Sequence, residues 1–184
     1  MKKTTTMSAK NKKFHALTKE EKRVAIAKDV IKWIAEDKLI PKKGTYVGLP
    51  SSLSKDIHED TPLDKVFEKE QCKACALGAC FIAMVDLGNN IKIGEYFERD
   101  FFCNSYADEK IKEDDMKSRL KRIFTPTQVN LIECAFEWEN IDDWGVISRI
   151  QRKAITFGKK YNMSKDRLIA IMKNIIKNKG TFKP

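Results

Sequence analysis

The sequence has little glycine, proline or histidine, with 8, 5 and 2 residues respectively in a chain of 184. So few turn-forming residues argue against an all-β fold made of many short strands. The longest apolar run, residues 74–85, is far shorter than the roughly 20 residues of a membrane-spanning helix. Residues 1–13 are polar and lack the apolar core of a signal peptide. We therefore expect a mostly α-helical protein of the cytoplasm, with no membrane partner.

The cysteines do not form a zinc or disulfide pattern. They are Cys72, Cys75, Cys80, Cys103 and Cys134. Their odd number, and the placement of three of them within nine residues, suit reduced thiols. A structural zinc site takes four ligands, usually as two closely spaced pairs, and only Cys72 and Cys75 have C-x-x-C spacing. We expect the cysteines to act as small apolar core residues, and we expect neither a metal nor a cofactor.

The formal net charge of +10 is concentrated at the two ends of the chain. Residues 1–23 carry a net charge of +6 and residues 149–184 carry +10, whereas residues 24–148 carry −6. Such asymmetry is typical of proteins that contact an anionic partner. A solvated lysine-rich surface would give the same counts, so charge alone leaves both interpretations open.

Apolar residues at helical spacing, together with N-terminal capping patterns, predict a compact, mostly α bundle of about five helices. The predicted helix at 72–87 is apolar on nearly every side, which is typical of a helix buried at the centre of a bundle. A short strand-like segment is predicted near residues 45–47. The other predicted helices cover residues 19–37, 126–139, 144–161 and 165–177.

The bundle is predicted to occupy residues 18–178 as a single helical domain. Residues 1–17 are lysine-rich and have no helical period, so we interpret them as a flexible basic arm. Residues 179–184 are interpreted as a basic tail that is flexible in the same way. The predicted organisation is therefore one domain with two mobile, positively charged ends.

The strongest functional signal is an amphipathic pattern near the C-terminus. Five residues recur every three or four positions and are predicted to face the core: Ile147, Ile150, Ala154, Phe157 and Tyr161. Basic residues then share the opposite face and continue onto the last helix, a surface that suits a phosphate backbone. The predicted anion-binding residues are Arg149, Arg152, Lys153, Lys159, Lys160, Arg167, Lys173 and Lys177. Because both aromatic residues are predicted to point inward, the pattern argues against base stacking.

One segment resembles a known group of proteins. Residues 72–79 read CKACALGA, and this C-x-x-C-A-x-G-A pattern is similar to a helix in small phage and bacterial proteins that have no assigned activity. The resemblance transfers no function. It implies a phage or mobile-element source and an accessory role against host machinery, in which case the protein would act in the host cytoplasm.

Three functions stay open at this point. The leading hypothesis is a non-enzymatic protein whose C-terminal basic face binds nucleic acid or a nucleotide-like ligand. The first alternative is a phage-type accessory protein or inhibitor that contacts a host protein. The second alternative is an enzyme with a site near Cys72, Cys75 and His58, although the sequence does not assemble a nucleophile, a base and an orienting group there.

Overall fold

A computed structural model describes residues 9–48, 60–69, 71–88, 91, 113–138 and 147–184. Within these ranges the chain forms eight helices and a three-stranded sheet, which confirms the mostly α fold. None of these helices is both long and apolar enough to cross a membrane. The strands are β1 (Leu39–Pro41), β2 (Val47–Gly48) and β3 (Cys72–Ala74). The helices are α1 (Ala9–His15), α2 (Lys19–Ala35), α3 (Leu63–Lys69), α4 (Ala76–Gly88), α5 (Glu113–Leu120), α6 (Pro126–Glu137), α7 (Arg149–Lys159) and α8 (Ser164–Lys177).

Helix α4 lies at the centre of the core, and all its residues except Leu87 are buried. The prediction of a buried helix at 72–87 was therefore right about burial but wrong about where the helix begins. Residues Cys72–Ala74 form β3 instead, because their main-chain groups pair with two neighbouring strands. The helix follows directly, and the Gly78 amide donates a hydrogen bond to the Sγ atom of Cys75 over 3.5 Å.

The sheet has the order β1-β3-β2, with β3 parallel to β1 and antiparallel to β2. The strand-like segment predicted near 45–47 corresponds to β2, whereas β1 and β3 were not predicted. The amide of Cys75 donates to the carbonyl oxygen of Thr45 over 2.6 Å. A Cβ atom at Gly78 would collide with the carbonyl oxygen of Tyr46. Glycine at this position therefore lets α4 pack directly on the backbone that leads into β2.

Helix α7 packs against α6 through a similar close approach. A Cβ atom at Gly158 would collide with the carbonyl oxygen of Ala135 on α6. The predicted helix at 144–161 begins later than expected, because Ser148 and Gln151 form a capping box that fixes its first turn. Residues 144–146 of that prediction lie outside the described residues.

The inward face of α7 also differs from the predicted stripe. Ala154, Ile155 and Gly158 are its buried residues, whereas Ile150 is 48% exposed. The contact at Gly158 sets this rotation, since the helix must turn its smallest side chain towards α6. Ile150 was therefore wrongly assigned to the core.

The predicted flexible arm is partly a packed helix. Residues 9–15 form α1, and Phe14 is only 5% exposed. Its ring lies where a Cβ atom at Gly88 would be, 2.5 Å from the phenyl Cδ1 atom. Burial of one aromatic side chain therefore docks α1 on the end of α4, and the prediction of a mobile arm was wrong for these residues. Residues 1–8 lie outside the described residues.

The C-terminal tail is also packed, contrary to the prediction of a mobile segment at 179–184. Phe182 is 1% exposed, and its amide and carbonyl exchange hydrogen bonds with the side-chain amide of Gln128 over 2.5 and 3.2 Å. The carbonyl oxygen of Gly180 accepts a hydrogen bond from Nε of Arg23 over 2.6 Å. A buried phenyl ring and three polar contacts thus fix the tail against α2 and α6.

Candidate nucleic-acid interface

The outer face of α7 presents a row of cations. Arg152, Lys153 and Lys160 follow Arg149 by three, four and eleven residues, which places all four on one side of the helix. All four side chains are exposed, as is Lys159 at the end of the helix. The structure therefore brings these five predicted residues together, and we call them the α7 basic face.

Arg167 does not belong to this surface. It is 4% exposed, and its guanidinium donates to the carbonyl oxygen of Tyr161 from Nε and Nη2, over 3.2 and 3.0 Å. Its Nη1 atom donates to the carbonyl oxygen of Phe136 over 3.0 Å. The prediction that Arg167 binds an anion was wrong, because these backbone carbonyls occupy its donors. It ties the end of α6 to the turn between α7 and α8.

A groove of about 740 Å³ lies between the end of α7 and the side of α8. Aromatic, aliphatic and sulfur-containing side chains form its apolar lining. These residues are Phe157, Tyr161, Met163, Ile169 and Ala170. Met163 is 66% exposed, so one large apolar side chain of the groove is open to solvent. We call this feature the α7–α8 groove.

The polar residues of the α7–α8 groove are predominantly cationic. Lys160, Lys173 and Lys177 contribute three positive charges, and Asp166 is the acidic residue among those that line it. Lys173 and Lys177 are exposed and one turn apart on α8. Lys160 belongs to both the groove and the α7 basic face, so the two surfaces are continuous.

The aromatic residues of the groove are held in place by the fold. The rings of Phe157 and Phe182 pack edge to face with their centroids 5.3 Å apart, and Phe182 is buried. The ring of Tyr161 lies 5.8 Å from that of Phe157, with an interplanar angle of 53°. Phe157 and Tyr161 are both partly buried. The expectation that they point fully into the core was therefore wrong. Because of it, we missed that both rings line a groove together with lysines.

The environment of the cysteines weighs against the enzyme alternative. Cys72 and Cys75 are 0% and 2% exposed. Burial raises the pKa of the Cys75 thiol well above its usual range and that of Cys80 to about 12. A buried thiol with a raised pKa is a poor nucleophile, because the thiolate is the reactive form. The third residue of that hypothesis, His58, lies outside the described residues.

A second polar cluster joins α6 to the segment before β2. Glu133 accepts a hydrogen bond from the Tyr46 hydroxyl over 2.6 Å and forms an ion pair with Lys117 over 2.9 Å. Glu137 accepts a hydrogen bond from the Gly44 amide over 2.8 Å. Burial raises the pKa of Glu137, and the bond from Gly44 opposes that shift. These contacts fix the loop on α6. Among the described residues, no group of three or more metal-ligating side chains is placed to hold a metal ion.

Comparisons with protein-family models, with curated proteins and with solved structures give no match to this chain. The resemblance of residues 72–79 to phage and bacterial proteins therefore stays a prediction. Any functional conclusion has to come from the chemistry of the surfaces described above.

Proposed function

We propose that the protein binds single-stranded nucleic acid, with the α7 basic face along the phosphate backbone and the α7–α8 groove around unpaired bases. The observation that carries this proposal is the pair of rings, Phe157 and Tyr161, set beside Lys160, Lys173 and Lys177. Proteins that bind single strands without strong sequence preference combine these two elements, a cationic track and aromatic stacking platforms.

The shape of the surface favours a single strand over a duplex. Bases within a duplex are stacked on each other and cannot enter a groove lined by side chains, whereas unpaired bases can stack on exposed rings. The groove also holds Asn162 and Asp166, an amide and a carboxylate that suit the polar edges of bases. A nucleotide-like ligand would use the same contacts on a smaller scale.

Two further parts of the hypothesis concern context. Cys75, Cys80 and Cys134 are buried thiols outside any disulfide, which suits the reducing cytoplasm. If the bound nucleic acid is a component of the host machinery, the protein would have the phage-type accessory role. Binding to a host protein through the exposed Met163 is the competing interpretation, and the experiments below separate it from nucleic-acid binding.

Tyr161 provides the most specific test of base stacking. We expect Tyr161→Leu to weaken binding of a fluorescent single-stranded oligonucleotide about tenfold or more, because stacking on an aromatic ring contributes about 1–3 kcal/mol per base. Tyr161→Phe is the matched control, since it keeps the ring, and should bind like the wild type. Fluorescence anisotropy gives the dissociation constants. Stacking at this ring would be ruled out if both variants bound equally weakly, or if both bound as tightly as the wild type.

The α7 basic face is tested by charge reversal. We expect the triple variant Arg149→Glu, Arg152→Glu, Lys153→Glu to lose oligonucleotide binding while keeping its helical circular dichroism spectrum. Replacing the same three residues with Gln should weaken the salt dependence of binding. The slope of the logarithm of the association constant against the logarithm of salt concentration should become about two less steep, since each phosphate contact on a single strand contributes about 0.7.

The matched control places the same charge change elsewhere on the surface. Lys28, Lys42 and Lys73 are exposed, and none of them lines the α7–α8 groove. Their triple Glu variant should bind the oligonucleotide within about threefold of wild type, because these residues belong to neither the α7 basic face nor the α7–α8 groove and exposed charges are screened by salt. A lysate partner that is retained after nuclease treatment, with no oligonucleotide binding, would instead favour the protein-partner interpretation.

A further inference from the structure

A second, smaller cavity of about 260 Å³ lies where α1, α2, α4 and α5 meet. Basic side chains from three separate stretches of sequence converge on it. They are His15, Lys19, Lys22, Arg119 and Arg122. Among the described residues that line the cavity, none is acidic. We call it the α1–α2–α5 pocket.

The two carboxylates that lie between Lys19 and Lys22 in the sequence, Glu20 and Glu21, have structural partners of their own. Glu20 forms an ion pair with Arg23, which also donates to the carbonyl oxygen of Ile123 over 2.7 Å. Glu21 accepts hydrogen bonds from the amide and the hydroxyl of Thr18, each over 2.9 Å, in the capping box of α2. Neither carboxylate is among the residues that line the pocket, where Lys19, Lys22 and Arg122 contribute three positive charges.

One further feature adds positive potential to the pocket, and two contacts hold its residues in place. Lys19 is the first residue of α2, a helix of 17 residues, whose N-terminal end carries a partial positive charge from the helix dipole. Nε2 of His15 lies 2.7 Å from the carbonyl oxygen of Gly88. A carbonyl oxygen accepts hydrogen bonds, so the histidine is the donor. The ammonium of Lys22 lies over the ring of Phe14, 5.9 Å from its centroid. The last two contacts hold α1 and its histidine against the neighbouring helices.

We propose that the α1–α2–α5 pocket binds a chain of linked phosphates. Lys19, Lys22 and Arg122 bring three positive charges to one small cavity, and a compact polyanion can contact all three at once. The volume is below the roughly 300–1,000 Å³ of sites that enclose a whole drug-sized ligand, so the pocket suits the charged end of a ligand. Lysine and arginine donors are the residues that recognise phosphate oxygens most often.

The linked phosphates have two possible sources, a free nucleoside triphosphate or the 5′-triphosphate end of an RNA strand. The inference does not depend on the proposed function, since the α7–α8 groove and this pocket share no residue. A protein that binds nucleic acid through the first and triphosphate through the second would distinguish a strand by its end.

The direct test is isothermal titration calorimetry of the full chain with sodium tripolyphosphate. We expect the double variant Lys19→Gln, Arg122→Gln to bind at least about tenfold more weakly than wild type, because charge-assisted hydrogen bonds are lost. The control variant Lys28→Gln, Lys42→Gln removes the same charge outside the pocket and should bind like wild type, as should Tyr161→Leu. No binding by wild type, equal losses in the pocket and control variants, or equal affinity for sulfate would overturn the proposal.

A thermal melt gives a second readout that does not depend on calorimetry. Tripolyphosphate should raise the melting temperature of wild type, since a ligand that binds only the folded state stabilises it. The Lys19→Gln, Arg122→Gln variant should melt no lower than wild type without ligand, because repulsion is relieved, and should gain nothing from tripolyphosphate. A ligand-induced increase equal to that of wild type would contradict the assignment.

Two more ligands identify the source of the phosphates. Tighter binding of ATP than of tripolyphosphate would support the proposal with a free nucleotide as ligand. Tighter binding of a 5′-triphosphorylated oligonucleotide than of its 5′-hydroxyl form, lost in the double variant, would support it with a strand end as ligand. If the 5′-hydroxyl oligonucleotide does not bind at all, the proposed function fails while this inference still stands or falls on tripolyphosphate.

Discussion

The α7–α8 groove and the α1–α2–α5 pocket are both cationic, yet their linings differ. The groove has a volume of about 740 Å³, two aromatic rings and one carboxylate among its lining residues. The pocket has about 260 Å³, a higher density of basic side chains and no lining carboxylate among the described residues. Positive charge attracts anions to both sites, whereas the apolar lining and the volume of each site determine which anion fits.

The two regions also rest on different glycine contacts. Gly158 faces the backbone of Ala135, which cannot move without shifting α6, and Gly88 faces the side chain of Phe14. A side chain can rotate away more cheaply than a main chain can shift. Substituting each glycine should therefore damage one region, with a larger effect at Gly158.

The largest effect is expected for Gly158→Ala. The new methyl group would push α7 from α6, so we expect a loss of about 1–3 kcal/mol or more in the free energy of unfolding, together with weakened oligonucleotide binding. Urea denaturation and anisotropy measure the two quantities. Tripolyphosphate binding of the remaining folded protein should be retained. An unchanged stability would mean that α7 does not approach α6 as described.

Gly88→Ala should give the opposite pattern with a smaller cost. Displacement of the Phe14 ring would release α1 and with it His15, so tripolyphosphate should bind more weakly while the oligonucleotide binds as before. We expect a destabilisation of about 1 kcal/mol, measured by the same denaturation. If both ligands were affected equally, the two sites would not be independent.

The sequence predicted the elements that depend on local pattern. The capping box of Thr18 and Glu21 and the apolar spacing of α2, α6 and α8 are local features, and the structure confirms those helices. Strand β3 was missed because Cys72–Ala74 are extended through pairing with β1 and β2, both about thirty residues earlier in the chain. Such pairing leaves no signal in the segment itself.

The two sites differ in predictability for the same reason. The α7 basic face comes from one helix, so its spacing could be read directly from the sequence. The α1–α2–α5 pocket takes Lys22 and Arg122 from stretches about 100 residues apart, and only the tertiary fold brings them together. Arg167 was misassigned because spacing cannot distinguish an exposed cation from one that bonds to buried carbonyls.

Glu137 lines neither the α7–α8 groove nor the α1–α2–α5 pocket, so its substitution tests stability without changing either site. Burial raises its pKa in the folded protein, so its contribution to stability is fully present below the unfolded value of about 4.5 and is lost as pH rises through the folded value. Glu137→Gln should therefore be more stable than wild type at neutral pH and equally stable near pH 4. Its amide oxygen can still accept the hydrogen bond from Gly44. Denaturation at both pH values checks this, and a variant that is less stable at neutral pH would contradict it.

Thiol labelling of the native protein tests the burial of the core and not either of the two sites. In a Cys103→Ser background the four remaining cysteines are all buried, and they should react with a thiol reagent on the order of a hundredfold more slowly than in urea. Adding Gly158→Ala should speed labelling of Cys134, which lies next to Ala135, and leave Cys80 protected. Mass spectrometry of labelled peptides distinguishes these positions. Fast labelling of Cys80 would mean that the core around α4 is open.

The central claim, that the α7–α8 groove receives unpaired bases, is tested most directly by competition. A labelled single strand of about 12 nucleotides is bound to the wild-type protein at about 0.1 M salt and displaced either by the same unlabelled strand or by its duplex. We predict that the duplex competes at least about tenfold less well, and that this preference disappears in Tyr161→Leu but persists in Tyr161→Phe. Equal competition by strand and duplex in the wild type would contradict the account and leave only a general electrostatic surface.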